Sequence, residues 1–145
     1  MSMFSRNFDR QNRKFWHFES LFKECISERK RTAPDFIIDG ELVYLDTKTG
    51  AMLPFQEIER KLESTMAEQG AVMHGKRPKL FAFDILALGK ESLCHLNYDQ
   101  RMEKLQGLIE SKELQGAQER DLIQMSAKQM LTGSVDDLEV KIAEA

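Results

Sequence analysis

Apolar residues follow helical spacing in one part of the chain and strand spacing in others. After a polar, turn-like stretch at residues 7–14, an amphipathic helix is expected to run to about Arg29. Its apolar positions are Phe18, Leu21, Phe22, Cys25 and Ile26. Residues 36–45 and 79–88 are rich in β-forming side chains, and each segment predicts a strand.

The middle of the chain predicts a hairpin, a helix and a loop. Residues 46–50 have turn composition, and residues 51–53 are expected to form the returning strand of a hairpin. Residues 56–66 favour a helix. Residues 67–79 contain two glycines and a proline with little periodicity, so they predict mostly loop.

The second half predicts two further helices and a short strand. Asn97 can cap a helix, and Gln100 is placed to complete a capping box. Residues 122–125 favour a short strand, and Ser134 can cap a last helix. Together with a strand ending at residues 3–5, the pattern predicts an α+β fold with mainly antiparallel sheets flanked by helices.

Composition is typical of a soluble globular domain, and charge adds one asymmetry. The chain has 145 residues, of which 41% are hydrophobic and 31% charged, and it has no apolar run of the ~20 residues that span a bilayer. The net charge is −3, yet residues 1–33 hold eight basic and four acidic side chains. This end could meet phosphates, or it could be a solvated basic surface.

Two carboxylates interrupt the first predicted strand. Period-two geometry places Asp39 and Glu41 on one face, where burial is costly unless something pairs with them. They could bind a metal, a sugar hydroxyl or a basic side chain, or they could be solvated acids on an exposed edge. Gly40 between them indicates close approach of a ligand or of another backbone.

Phe83 and Arg6 are the other candidates for ligand contact. Phe83 lies in the second predicted strand, where it could stack on a purine beside a cavity or pack in the core. Arg6 lies where a strand gives way to a loop, and its fork of donors could hold phosphate or ribose. The alternative is an ordinary surface arginine. Cations and rings interleave at residues 13–18, which suits nucleic-acid contact or anchoring of the next helix.

Five segments, in order, resemble the nucleotidyltransferase (adenylation) domain of ATP-dependent DNA ligases. The resemblance covers most of the chain and rests on order and spacing. The segments are an arginine segment (Phe4–Asn7), an acidic strand (Phe36–Val43), a short following piece (Pro54–Gln56), an aromatic strand (Leu80–Leu86) and a helix that contains Arg101 (Asn97–Leu105).

The resemblance implies an ATP-grasp-like fold and a three-step reaction. A lysine takes AMP from ATP, AMP passes to the 5′-phosphate of nicked duplex DNA, and the 3′-hydroxyl displaces AMP. The resemblance implies that Glu41 contacts the AMP ribose and Mg²⁺. It also implies that Phe83 stacks on the adenine and that Arg6 holds the ribose or the phosphate at the nick. It implies a role in DNA replication, repair or recombination, in the nucleus of a eukaryote or otherwise in the cytoplasm.

Three features depart from the family pattern. The family's lysine-any-Asp-Gly motif is missing, since residues 37–40 are Ile-Ile-Asp-Gly, and the Glu-Gly and paired-lysine motifs are missing too. We therefore expect residues 1–145 to be a partial adenylation domain that is inactive alone, with no catalytic residue to assign. The alternatives are a non-catalytic remnant that binds nucleotide or nicked DNA, and a fragment of a related RNA ligase or capping enzyme.

Overall fold

The computed structural model describes residues 1–27, 34–54 and 75–126. Within these ranges one sheet is covered by helices. The helices are α1 (Trp16–Ser27), α2 (Tyr98–Ile109) and α3 (Gln115–Glu119). The strands are β1 (Phe36–Asp46), β2 (Lys76–Leu88), β3 (Glu91–Ser92) and β4 (Ile123–Met125).

β2 is the strand to which every other described strand pairs. β1 runs antiparallel to it over the full length of β1, from Phe36 opposite Leu88 to Asp46 opposite Lys76. On the other side of β2, β3 pairs antiparallel near its end and β4 pairs parallel near its middle. The ladder with β1 contains two irregularities, each of which leaves one extra residue on β2. Such bulges bend a strand and increase its twist.

The helices pack against one face of this sheet because its inward positions are apolar. Ala82 and Ile85 of β2 are fully buried there. α2 contributes Leu105, Leu108 and Ile109, and α1 contributes Phe18, Phe22 and Cys25. Full burial of a Leu or Ile side chain contributes about 1.5–3 kcal/mol each, so this apolar cluster holds the helices on the sheet.

Most predicted elements are confirmed, including the α+β class. β1 matches the predicted strand to within one residue, and the capping box of α2 forms between Asn97 and Gln100. α1 and β4 also lie where they were expected. Residues 3–5, expected to end a strand, hold only an isolated bridge from Phe4.

Two predictions were wrong in extent. Residues 76–78 were expected to be loop, but they extend β2, because the end of β1 gives their backbone groups a pairing partner. Residues 51–53 were expected to be a strand, but they hold only an isolated bridge from Met52 to Leu45. The predicted helices at residues 56–66 and from Ser134 lie outside the described residues.

The helices that the structure describes are too short or too polar to cross a membrane.

Gly40→Ala should destabilise the protein, because β1 and β2 leave no room for a side chain at Gly40. A β-carbon there would lie 2.7 Å from the backbone oxygen of Phe81 and 3.0 Å from Leu80 Cδ1. Overpacking of this kind costs about 1–3 kcal/mol, and thermal or urea unfolding will measure it. The matched control is Gly107→Ala in α2, where a β-carbon meets nothing within 4 Å. Ala favours a helix interior, so this control should be neutral or stabilising, and equal effects at the two sites would contradict the packing argument.

Candidate functional site

Two of the three candidate residues, Glu41 and Phe83, lie on the face of the β1–β2 pair opposite the helices, which we call the open face. It is formed by Ile37, Asp39 and Glu41 of β1 and by Phe81 and Phe83 of β2. Asp39 and Glu41 are exposed, Ile37 is 57% exposed, and Phe83 is 40% exposed. Strand alternation explains the arrangement, since the residues between them point into the core.

Phe83 owes its position to the bulge in β2. Gly40 pairs with Ala82 and Asp39 pairs with Asp84, so Phe83 is the extra residue between two ladder positions. Glu41 lies directly opposite Phe81, which makes Phe83 its diagonal neighbour on the adjacent strand. Diagonal neighbours lie within reach of long and aromatic side chains, so one small ligand can touch both.

Gly40 was expected to mark the close approach of a ligand or of another backbone. Another backbone approaches it closely, because a β-carbon at Gly40 would lie 2.7 Å from the Phe81 carbonyl oxygen and 3.2 Å from the Ala82 Cα. Close packing at Gly40 therefore fixes how Glu41 and Phe81 face each other.

Asp84 is held by an arginine from α2. Arg101 Nε donates to Asp84 Oδ1 and Arg101 Nη2 donates to Asp84 Oδ2, both at 2.8 Å. The two side chains are 18% and 19% exposed. Hydrogen bonds from Arg101 keep the pKa of the Asp84 carboxyl below its usual value, and they outweigh the opposite effect of burial.

A second cluster joins β2 to the turn before β4. Lys79 is buried, and both Lys79 and Arg77 form ion pairs with Asp121. The Lys79 ammonium also lies 5.3 Å from the centre of the Phe81 ring. Burial alone would raise the pKa of Asp121, but the hydrogen bonds and charges of Lys79 and Arg77 lower it overall. Through the contact of Lys79 with Phe81, this cluster adjoins one end of the open face.

Arg6 lies in a compact loop at residues 3–11. Ser5 accepts hydrogen bonds from the backbone of Asn7 and Asp9 through its hydroxyl, and Gln11 N donates to Met3 O at 2.8 Å. The loop leaves Arg6 exposed. Strand pairing brings Glu41 and Phe83 together, and among the described residues no hydrogen bond or ion pair joins Arg6 to Glu41.

Carboxylate oxygens on the open face suit a hard cation. Asp39 and Glu41 are exposed on the same face of β1. Mg²⁺ usually binds one or two carboxylates together with substrate phosphates and water, and these two residues fit that donor set. Within the described ranges no group of three or more His, Cys, Asp or Glu side chains is placed to hold a metal.

A cavity of about 490 Å³ lies elsewhere, beside β4 and α2. Gln106, Ile109, Gln124 and Met125 are among the residues that line it. Neither Glu41 nor Phe83 contributes to its walls. The open face is therefore a separate surface from this cavity.

The pairing of Asp84 with Arg101 was not predicted from the sequence. The available signal was a carboxylate in an apolar strand, which requires a partner. Arg101 was the basic residue of the helix that follows, but sequence spacing alone did not show that the two side chains meet. Asp121 and its two cations were also missed, because they lie more than forty positions apart.

Comparison with known proteins gives one consistent result. Residues 1–141 match the family model described as "ATP dependent DNA ligase domain". The chain is 30% identical over 112 residues to "Probable DNA ligase" of Dictyoglomus turgidum, which covers 77% of this chain and 18% of that protein.

Two further relatives carry similar names. "DNA ligase" of Pyrobaculum calidifontis is 30% identical over 111 residues, 76% of this chain and 18% of that protein. "DNA ligase 4" of Candida glabrata is 28% identical over 79 residues, 54% of this chain and 8% of that protein. The chain thus spans less than a fifth of the length of these relatives.

Asp84→Asn should lower the melting temperature at pH 7, and the loss should shrink in acid. Because the pKa of Asp84 is lowered by folding, its contribution is present above the unfolded pKa of about 4 and is lost as pH falls through the folded pKa. Thermal melting of both proteins between pH 7 and pH ~3 tests this. Glu103→Gln, an exposed carboxyl on α2, is the control. A difference that stayed constant into acid would contradict an ionic role for Asp84.

Proposed function

The chain belongs to the ATP-dependent DNA ligase domain family, and from this premise we propose that it forms the central part of the adenylation domain of an enzyme that seals nicks in duplex DNA. Membership of this family implies the use of ATP. One observation carries the proposal: Glu41 and Phe83, at the positions the family pattern gives to nucleotide contact, lie on adjacent strands of one exposed face.

Phe83 is proposed to stack on adenine and Glu41 to bind the ribose. A phenylalanine that served only the core would be buried, whereas the Phe83 ring is 40% exposed. Stacking of a base on an exposed aromatic ring is favourable, because the flat face of the base packs against the flat face of the ring. The exposed carboxylate of Glu41 can accept hydrogen bonds from ribose hydroxyls, which holds the sugar at a fixed distance from the ring.

Mg²⁺ is proposed to bind at the same face, with Glu41 as its protein ligand and Asp39 nearby. When bound, the ion would neutralise charge on the phosphates of the nucleotide. Glu41 then has two tasks, orientation of the ribose and attraction of the ion. Transfer of a nucleotidyl group depends mainly on such positioning and charge neutralisation.

The basic loop around Arg6 is proposed to face the nicked DNA. Arg6, Arg10 and Arg13 are all exposed in this part of the chain. Arginine forks bind phosphate oxygens in a defined geometry, and neutralisation of phosphates supplies much of the affinity of proteins for DNA. Arg6 would hold the phosphate at the nick or the ribose of the nucleotide.

We assign this chain the binding part of the reaction and leave the nucleophile to another segment. The lysine-any-Asp-Gly motif is not among the 145 residues, so sealing through enzyme-AMP and DNA-AMP intermediates is proposed for the whole enzyme. The same limit applies to a role in replication, repair or recombination. The whole enzyme is proposed to act in the nucleus of a eukaryote or otherwise in the cytoplasm.

Phe83→Ala and Glu41→Ala should each weaken AMP binding by the isolated chain without unfolding it. Loss of one stacked ring typically costs on the order of 10- to 100-fold in affinity. Isothermal titration calorimetry with AMP, beside thermal melting of each variant, measures the two effects separately. Trp16→Ala, an exposed aromatic of α1, and Glu103→Ala, an exposed carboxyl of α2, are the matched controls.

The controls decide how this result is interpreted. If AMP affinity is unchanged by both open-face substitutions, or is reduced equally by the control substitutions, the open face is not the nucleotide site.

The isolated chain should form no covalent adenylate with ATP. A nucleophile must be both present and positioned, and the motif that carries the family's lysine is missing from this sequence. Incubation with radiolabelled ATP and Mg²⁺, followed by denaturing electrophoresis, tests this. A labelled band that disappears when a single lysine of this chain is mutated would show that the chain supplies its own nucleophile.

A further inference from the structure

Arg101 connects three parts of the fold through one planar group. Two of its nitrogens donate to the Asp84 carboxylate of β2. Its third nitrogen, Nη1, donates to the Leu96 carbonyl in the loop before α2, also at 2.8 Å. A guanidinium is rigid and presents its donors in a fixed fork, so these three bonds define the position of Asp84 relative to α2.

The Asp84 carboxylate in turn accepts three hydrogen bonds. Its Oδ1 accepts from Ile85 N at 2.8 Å as well as from Arg101 Nε, and its Oδ2 accepts from Arg101 Nη2. Asp84 thereby restrains the backbone of the strand in which it lies. The restraint falls at the bulge, where Phe83 and Asp84 together face Asp39.

Phe83 needs such a restraint because the ladder does not supply one. A bulge residue has no partner opposite it, so strand pairing alone leaves its orientation weakly determined. Asp84 is the next residue along the chain, and α2 anchors the arginine through its buried residues Leu105 and Leu108. The core on one side of the sheet is therefore linked to the ring on the other side.

We propose that Arg101 is a positioning residue for the nucleotide, which acts through Asp84 to fix the β2 bulge and so to hold the Phe83 ring where adenine stacks. Arg101 itself lies near the start of α2 and is not proposed to touch the ligand. The proposal rests on the proposed function, since it requires an adenine nucleotide at the open face.

A double-mutant cycle on the chain tests the proposal. AMP affinity is measured for the unsubstituted chain, Arg101→Lys, Phe83→Leu and the double variant, with a thermal melt of each. Lysine keeps the charge but cannot reproduce the fork, so Arg101→Lys should weaken AMP binding on the order of tenfold. In the Phe83→Leu background the same change should cost nothing further, because Arg101 acts through the ring.

Arg120→Lys is the matched control. Arg120 forms an exposed ion pair with Glu24 at 3.1 Å, away from the bulge, and its substitution should leave AMP affinity unchanged. Arg101→Ala is a second variant that removes the fork entirely, and it should weaken AMP binding at least as much as Arg101→Lys. Affinities are measured below the melting temperature of each variant, so that unfolding does not contribute.

The outcomes separate this proposal from the proposed function. Arg101→Lys with unchanged AMP affinity, or with the same loss in both backgrounds, would overturn the positioning role while Phe83 kept its own. An unsubstituted chain that binds no AMP, or binding that does not depend on Phe83, would overturn both.

Discussion

The antiparallel pairing of β1 with β2 is the constraint on which the described structure depends. It brings residues 36–46 and 76–88 together along their length, and every other described strand joins the sheet through β2. The helices pack against the buried apolar residues of one face, and Asp39, Glu41 and Phe83 are exposed on the other. Gly40 sets how closely the strands approach at the middle of the ladder.

The two faces of the sheet are not independent of each other. Asp84 belongs to the bulge beside Phe83, yet its partner Arg101 comes from the helix layer. A half-buried ion pair costs desolvation, and its attraction and hydrogen bonds offset that cost only when the geometry is good. Here the carboxylate accepts three hydrogen bonds from two donor groups, the fork of Arg101 and the backbone of Ile85. The pair is better explained as a device that fixes geometry than as a large source of stability.

Local chemistry decided what the sequence could predict. β1, α1 and the capping box of α2 depend on periodicity and on neighbours three or four residues apart, and these were predicted closely. The extension of β2 to Lys76 and the pairing of Asp84 with Arg101 depend on residues brought together by the fold. The spacing of residues along the chain does not predict those contacts. The short elements β3 and α3 have too few residues for a periodic pattern, so they were not predicted.

The candidate site, like the fold, was predicted only in part from the sequence. Strand alternation alone places Asp39 and Glu41 on one face, and the resemblance to ligases adds Phe83 and Arg6. The bulge that leaves Phe83 unpaired could not be predicted, because the register of two strands that lie far apart in the sequence is set by packing. The roles of these residues remain predictions.

Amide NMR spectra recorded during an AMP titration test most directly the claim that the open face binds the nucleotide. Our account predicts that the largest shifts fall on β1 and β2 around Glu41 and Phe83, with smaller shifts at Asp84 next to the bulge. Residues that line the cavity beside α2 and β4, such as Gln106 and Glu110, should shift little. Shifts centred on that cavity, or an absence of shifts on β1 and β2 at saturating AMP, would contradict it.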